Sequence, residues 1–379
     1  MKNKECYQMN QIYLDYNAST PIAPAVKVAM QPYLEQYYGN PSALHFAGVQ
    51  GKKAVEQART QVAEMLNCSA QEIIFTSGGS ESNNHVLKGV FQTYKEKGNH
   101  IITTKIEHPA ILNPCKYLEK LGAEITYVEV DHYGRVNPVD IEKAITDKTI
   151  LISVMHANNE VGTIQPIEEI GIIAQKHDVL FHTDASQSVG KVPLDVEQLH
   201  VDFLTIAGHK VYAPKGVGAL YVREGIQIEP LIHGAGHESG RRAGTENVLL
   251  VVGLGQACEL AQKNIGENER ILRLREDFWH QLKDLPQFTV SLNGHPEYRL
   301  PNTLSVNFEN RIGQEILAAL PRVAASTGSA CHAGEVSLSP VLKAMGVKES
   351  VGMGAIRFSL GRYTTKQEID TVVQLLGQV

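Results

Sequence analysis

Between residues 73 and 222 the chain repeats one pattern: a short apolar run, a polar turn, then a stretch of helix length. The runs EIIF, HIITTKI, AEITYVEV, TILISVMHA, VLFHT, VDFLTIA and GVGALYV are rich in Ile, Val and Phe. Segments such as NHVLKGVFQTYKEKG, PAILNPCKYLEKLG and PIEEIGIIAQKHD separate them. Strands buried on both faces read as continuous apolar runs, and strands joined through helices run parallel. The pattern therefore predicts an α/β fold with a largely parallel sheet covered on both sides. Near Arg241 the alternation stops. A helical stretch from about Asn247 to Leu285 comes next, and beyond it TLSVNFE, EILAALP and IRFSLG carry the signals of a smaller α+β unit. The boundary falls inside that helix, giving a large domain over residues 16–262 and a small one over residues 1–15 and 263–379. A length of 379 residues accommodates two such domains.

Several function classes are disfavoured. A formal charge of −6 gives no electrostatic reason to expect nucleic acid or an anionic membrane as partner. The N-terminal MKNKECYQMN has no apolar signal core, and no uncharged run is long enough to span a bilayer. Five scattered cysteines, at 6, 68, 115, 258 and 331, are an odd set and no disulfide framework. The expected compartment is a reducing cytoplasm.

Ligands of open parallel sheets bind at the carboxyl ends of the strands. Here those ends carry TSGGSES, EHPA, NNE, DASQ and GHK. Strand ends are commonly polar, but five in succession with His, Asn, Asp, Gln, Ser and Lys form a chemical set. Thr76 to Ser80 reads either as a phosphate cradle at a helix N-terminus or as a plain turn with a cap. It is not a Walker A loop, since no Lys-Ser/Thr pair comes after the glycines. Asp184 and Lys210 stand 26 positions apart at the ends of successive predicted strands. Pyridoxal phosphate chemistry needs such a pair: an amine to form the Schiff base, and a carboxylate to keep the pyridine nitrogen protonated. Attack by the lysine requires some neutral amine, which burial and a nearby cation promote. His108, at another strand end, could stack on the ring and move protons. A capping Asp184 and a satisfied loop histidine remain the structural alternatives.

Cys331 lies in AASTGSACHAG, where small residues leave its thiol unwrapped by bulky apolar side chains. Such a segment reads as a loop able to move, suited to a nucleophile that collects a group and delivers it elsewhere, or as a tight helix-packing cysteine. Two further patterns carry less. The Gly-x-Gly of VVGLGQAC lacks the third small residue and the strand-end acid of a dinucleotide site, and reads as helix packing. His233 and His237 in HGAGHES sit on poor helix with no Cys or carboxylate partner, so no metal is expected.

The blocks YLDYNASTP, GNPSALH, FTSGGSESNN, EHPAIL, HANNEVGTIQPI, HTDASQSVGK, GHKVYAPKGVGALYVR, RRAGTEN, GSAC and IRFSLGRYTT run in order over almost the whole chain. With them the sequence resembles the cysteine desulfurases of the NifS/IscS type, in the class V aminotransferase family of pyridoxal phosphate enzymes. The resemblance implies the aspartate aminotransferase fold (fold type I), with a large cofactor-binding domain and a small domain carrying the cysteine. It also implies a homodimer with active sites near the subunit interface, and conversion of L-cysteine to L-alanine. By motif, Lys210 would be the Schiff-base lysine, which also takes the Cα proton, and Asp184 the pyridinium partner. Gln187 would bond the phenolic oxygen and His108 stack on the ring. Gly79, Ser80 and His209 would hold the phosphate, joined by Thr245 of the neighbouring subunit. Asn159 would contact cofactor and substrate, Arg357 the substrate carboxylate, and Cys331 would accept the sulfur as a persulfide.

Three departures qualify this picture. Ala207 stands where many relatives have a phosphate-binding serine. CHAGEVSLSPVLKAMGV and FLTIAGHK lean toward selenocysteine lyases, making L-selenocysteine the alternative substrate. The chain ends soon after GRYTTKQEIDTVVQLL, without the extension that scaffold-binding relatives use in iron–sulfur cluster assembly, so the sulfur acceptor is not named by the sequence.

Overall fold

The computed structural model describes residues 11–332 and 335–379, with the side chains of 329–336 outside that description. Cys6, the thiol of Cys331 and the imidazole of His332 thus lie outside the described part. A two-residue strand, β1 (Ile12–Tyr13), precedes the large sheet. That sheet is built from β2 (Ile73–Thr76), β3 (His100–Thr104), β4 (Glu124–Val128), β5 (Thr149–Ser153), β6 (Leu180–Asp184), β7 (Phe203–Ala207) and β8 (Gly218–Val222). Each predicted apolar run supplies one strand. Their order is β2-β8-β7-β6-β5-β3-β4. Only β8 runs against the others, pairing antiparallel with β2 and β7.

Successive strand residues point to opposite faces, so each strand feeds two cores. Ile73, Phe75, Ile102, Ile152 and Leu204 join one apolar cluster; Ile74, Ile101, Leu151 and Phe203 join the other. Helices Phe46–Leu66 and Val248–Lys263 cover the first face through Val55, Val62 and Leu254. Helices Gly79–Tyr94 and Pro109–Glu119 cover the second through Val86, Val90, Ile111 and Leu118.

The Gly-x-Gly of VVGLGQAC is where two helices meet. A Cβ on Gly255 would lie 2.6 Å from Ala58 Cα, and one on Gly253 2.8 Å from Met30 Sδ. Gly255→Val is therefore expected to destabilise the protein by about 1–3 kcal/mol through overpacking against backbone. Urea denaturation of both proteins measures it; an unchanged midpoint would show that the helices can separate freely.

The helical stretch expected over 247–285 is two helices, Val248–Lys263 and Asn268–Lys283, with a 3₁₀ turn at Ile265–Glu267 between them. Asn264 leaves helical geometry there, and Gly266 in the turn has poor helix propensity. Beyond it come β9 (Val290–Asn293), β10 (Thr303–Phe308), β11 (Val323–Ala324), β12 (Ser326–Thr327), β13 (Ser329–His332), β14 (Glu335–Leu338) and β15 (Ala355–Ser359). β12-β15-β10-β9 form an antiparallel sheet, and β1 pairs with β11. Ile12 and Leu14 pack with Phe278, Leu304, Phe358 and Ile369 in that unit's core. The segment expected to be a loop around Cys331 is backbone-paired as β13 and β14, with Cys331 opposite Val336. Its Ser, Ala and Val residues are compatible with pairing as well as with a loop.

Residues 14–20 cross from one unit to the other. The Asn17 N–H donates to Ser359 Oγ at 2.9 Å, and the Thr20 N–H to the His209 carbonyl at 2.9 Å. The crossing passes the carboxyl ends of the large sheet's strands.

Candidate active site

A pocket of about 430 Å³ opens at those strand ends. Gly79, Ser80, His108, Asn159, Asp184, Gln187, His209, Lys210 and Arg357 all line it, so nine positions singled out in the sequence converge on one space. Thr245 is exposed and does not line it.

Lys210 ends a 3₁₀ turn, Gly208–Lys210, directly after β7. Its Nζ donates to the Ala18 carbonyl at 3.0 Å and to the Asn17 carbonyl. Burial, reinforced by the Arg357 guanidinium and opposed by Asp184 and Asp15, pushes its amine down to about 8. Roughly a tenth of the amine is then neutral at pH 7, against one in a few thousand for an ordinary lysine. The exposed surface charge that a strand-end lysine would usually be is thus not what the structure contains.

Asp184 closes β6 and is buried. Its Oδ1 accepts from the Ser186 N–H at 2.9 Å and its Oδ2 from Asn83 Nδ2 at 2.7 Å. It caps a local turn and also lines the pocket; the two readings of this residue coexist. His108 is the N-cap of helix Pro109–Glu119, where its Nδ1 accepts from the Ala110 N–H at 3.1 Å. The ring is exposed at the pocket; desolvation by the atoms around it, with Lys210 and against Asp184, lowers its pKa, and the bond accepted at Nδ1 leaves the neutral ring's proton on Nε2. His209 is pushed to about 4 by burial and by Lys210 and Lys215, and acts as a neutral group.

At the N-terminus of helix Gly79–Tyr94, the first N–H groups have no intrahelical partner and no side-chain cap. A Cβ on Gly79 would meet Ser186 Oγ at 3.0 Å and Ala207 Cβ at 3.3 Å, so glycine lets an anion approach the backbone here. Arg357 reaches in from β15. Its guanidinium donates to Asp15 Oδ1 at 2.6 Å, Ser326 Oγ at 2.9 Å and the Asn159 carbonyl at 2.9 Å, while its buried Nε has no partner. An unpartnered guanidinium N–H suits a carboxylate. The donor set fits pyridoxal phosphate: an anion cradle, a partly neutral lysine, a buried acid, a neutral histidine and a carboxylate-binding arginine.

Asp15, Asn17, Asn83 and Lys191 also bond to the site's residues; all four lie inside the blocks YLDYNASTP, FTSGGSESNN and HTDASQSVGK, but nothing in their spacing marks a role. Asn17 is a hub: its Nδ2 donates to Thr303 Oγ1 at 2.8 Å, and its carbonyl also accepts from Gln187 Nε2 at 3.0 Å. Contacts between residues hundreds of positions apart leave no spacing signal.

Glu107, beside His108, is wholly buried, and one carboxyl oxygen has no partner. Burial pushes it from 4.5 up to about 8. Between those values the folded protein holds a proton that the unfolded chain has lost. The stability this confers is full below 4.5 and is lost as the pH rises through 8, in total on the order of a few kcal/mol. Glu107→Gln removes the titration, so its stability relative to the parent should rise between pH 5 and 9. Denaturation midpoints across that range check this, and parallel curves would contradict it.

The sequence pattern described as "Aminotransferase class-V" matches residues 12–372. Cysteine desulfurase IscS of Dictyoglomus turgidum is 48% identical over 372 residues, covering 97% of this chain and 94% of its own. Cysteine desulfurase 2 of Trichormus variabilis is 48% identical over 374 residues, with 98% and 93% covered. Among solved structures, a NifS-like protein superposes with a TM-score of 0.92 at 39% identity, covering 97% of this chain and 98% of its own. A structure described as SspA in complex with cysteine superposes at 0.82 with 39% identity, covering 93% and 100%.

Proposed function

Because the chain belongs to the class V aminotransferase family, whose members depend on pyridoxal phosphate, we propose that it is a cysteine desulfurase. It takes sulfur from L-cysteine, releases L-alanine and holds the sulfur as a persulfide on Cys331. The observation that carries this reading is the buried Lys210 amine, lowered to about 8, in one pocket with Asp184, His108 and Arg357. Bound pyridoxal phosphate supplies an electron sink for charge developing at the substrate's Cα.

The chain's residues supply the rest. The first N–H groups of helix Gly79–Tyr94, with Ser80 and neutral His209, would hold the phosphate. Asp184, held by Asn83, would receive the pyridine N–H. Gln187 would donate to the phenolic oxygen, and neutral His108 would lie against the ring. Arg357 binds the substrate carboxylate beside Asn159, and Lys210 takes and returns the Cα proton. The Cys331 thiolate attacks the substrate's sulfur: an S–S bond forms, the C–S bond breaks, and its electron pair stays with carbon. Cysteine and a thiol become alanine and a persulfide, with no outside oxidant.

The enzyme is a homodimer in this reading. Thr245 is exposed outside its own pocket, and the apolar side chains of Tyr38, Leu44 and Phe46 are 92, 100 and 89% exposed within ten residues of sequence, as residues of a subunit interface would be before assembly. Cytoplasmic residence is supported by the free thiols of Cys68, Cys115 and Cys258. Among the described residues no helix is long and apolar enough to cross a membrane.

The test is direct. Protein loaded with pyridoxal phosphate is given L-cysteine or L-selenocysteine, and alanine is measured by chromatography. Alanine from cysteine, with a one-sulfur mass gain on Cys331, is the expected result; alanine from selenocysteine alone would replace the reading with a selenocysteine lyase.

A further inference from the structure

Lys191 lies four residues past Gln187 in DASQSVGK, and its side chain is half-buried. Among the described residues no carboxylate pairs with it. Its Nζ donates to Gln187 Oε1 at 3.0 Å and to Asn17 Oδ1 at 3.2 Å. Two acceptors match the two N–H bonds of a neutral amine. Burial, with Lys210 and Arg357 nearby, holds its pKa well below the ordinary lysine value. On the other side Lys191 borders a cavity of about 40 Å³, shared with Tyr16, Tyr212, Glu267 and Arg362.

The bond to Gln187 has a directional consequence. Gln187 Nε2 donates to the Asn17 carbonyl at 3.0 Å, an atom that can only accept. Lys191 at Oε1 and the carbonyl at Nε2 therefore agree on one orientation of the carboxamide. The second hydrogen on Nε2 is left over, and Gln187 lines the pocket. Without Lys191, Oε1 would be an acceptor with no donor, and only the Asn17 carbonyl would be left to hold the carboxamide in this orientation.

We propose that Lys191 is a positioning residue, which holds the Gln187 carboxamide so that an N–H is presented to the phenolic oxygen of the cofactor. This rests on the pyridoxal phosphate site proposed above. A donor at that oxygen stabilises its negative charge and eases loss of the proton it shares with the neighbouring nitrogen; without the donor that proton is held more tightly.

The experiment is a pH titration of the visible absorption band in the holoenzyme, for the parent, Lys191→Met, Gln187→Ala and the double variant, with melting temperatures recorded alongside. Each single variant is expected to raise the titration midpoint by about one unit, and the double variant to go no further, because both remove the same hydrogen bond. A Lys191→Met midpoint equal to the parent's, or shifts that add, would overturn the role of Lys191. A parent protein with no visible band and no borohydride-fixed adduct on Lys210 would instead overturn the cofactor site itself. Lys191→Leu, which also carries no donor, is read in the same way if the methionine variant does not fold.

Discussion

Lys210→Ala is expected to lower the rate of alanine formation by roughly four orders of magnitude, since one amine both anchors the cofactor and moves the Cα proton. The visible band of the bound cofactor should vanish with it. The same change should stabilise the cofactor-free protein. An ordinary lysine titrates at 10.5, and here the folded state lowers that to about 8. Between those values the unfolded chain holds a proton that the folded chain releases, so stability climbs with pH across that window. Below 8 the full cost of a buried cation persists, on the order of 1–3 kcal/mol before the lost bonds to the Asn17 and Ala18 carbonyls are counted. Removing the amine relieves it. Parallel assays of alanine and of apoprotein unfolding at pH 7 test both parts, and a variant that is inactive yet less stable than the parent would separate the chemistry from the electrostatic argument.

Cys331→Ser should leave the visible band and cysteine binding in place while reducing sulfide release under reductant by about 10²–10⁴-fold, as loss of an essential nucleophile does. A hydroxyl keeps the polarity and size but is neither ionised at neutral pH nor inclined to attack sulfur. Cys68, Cys115 and Cys258 cannot substitute, because burial pushes each of their thiols to about 12. Intact-protein mass spectrometry after one turnover is the sharper readout. One added sulfur on the parent and none on the variant is expected; an added sulfur on the variant would place the acceptor at another cysteine.

Most of the large sheet was legible in the residues. Ile73 to Thr76 and Phe203 to Ala207 are apolar runs because both faces of their strands are covered, and burial on both faces shows directly in composition. The strand-end residues were legible for a related reason. A parallel sheet brings consecutive carboxyl ends together, so the polar residues just past each apolar run already make up one side of a pocket. Less was visible where geometry depends on a single backbone angle. The 3₁₀ break at Ile265–Glu267 interrupts a helical pattern without changing its periodicity, and the β13-β14 pairing uses small residues that also suit a loop.

Sequence alone determined the α/β architecture, the lysine, the aspartate, the histidine and the family likeness, because each is carried by residue type and by short spacing along the chain. Tertiary structure alone decided the state of those groups. The Lys210 amine is lowered by burial and by Arg357, which comes from the other sheet 147 positions later in the chain. Asp184 is held by Asn83 across 101 positions, and Gln187 is oriented by Lys191 and by Asn17 across 170. Proton affinity and amide orientation depend on what lies within a few ångströms in space, and only the folded chain sets those distances.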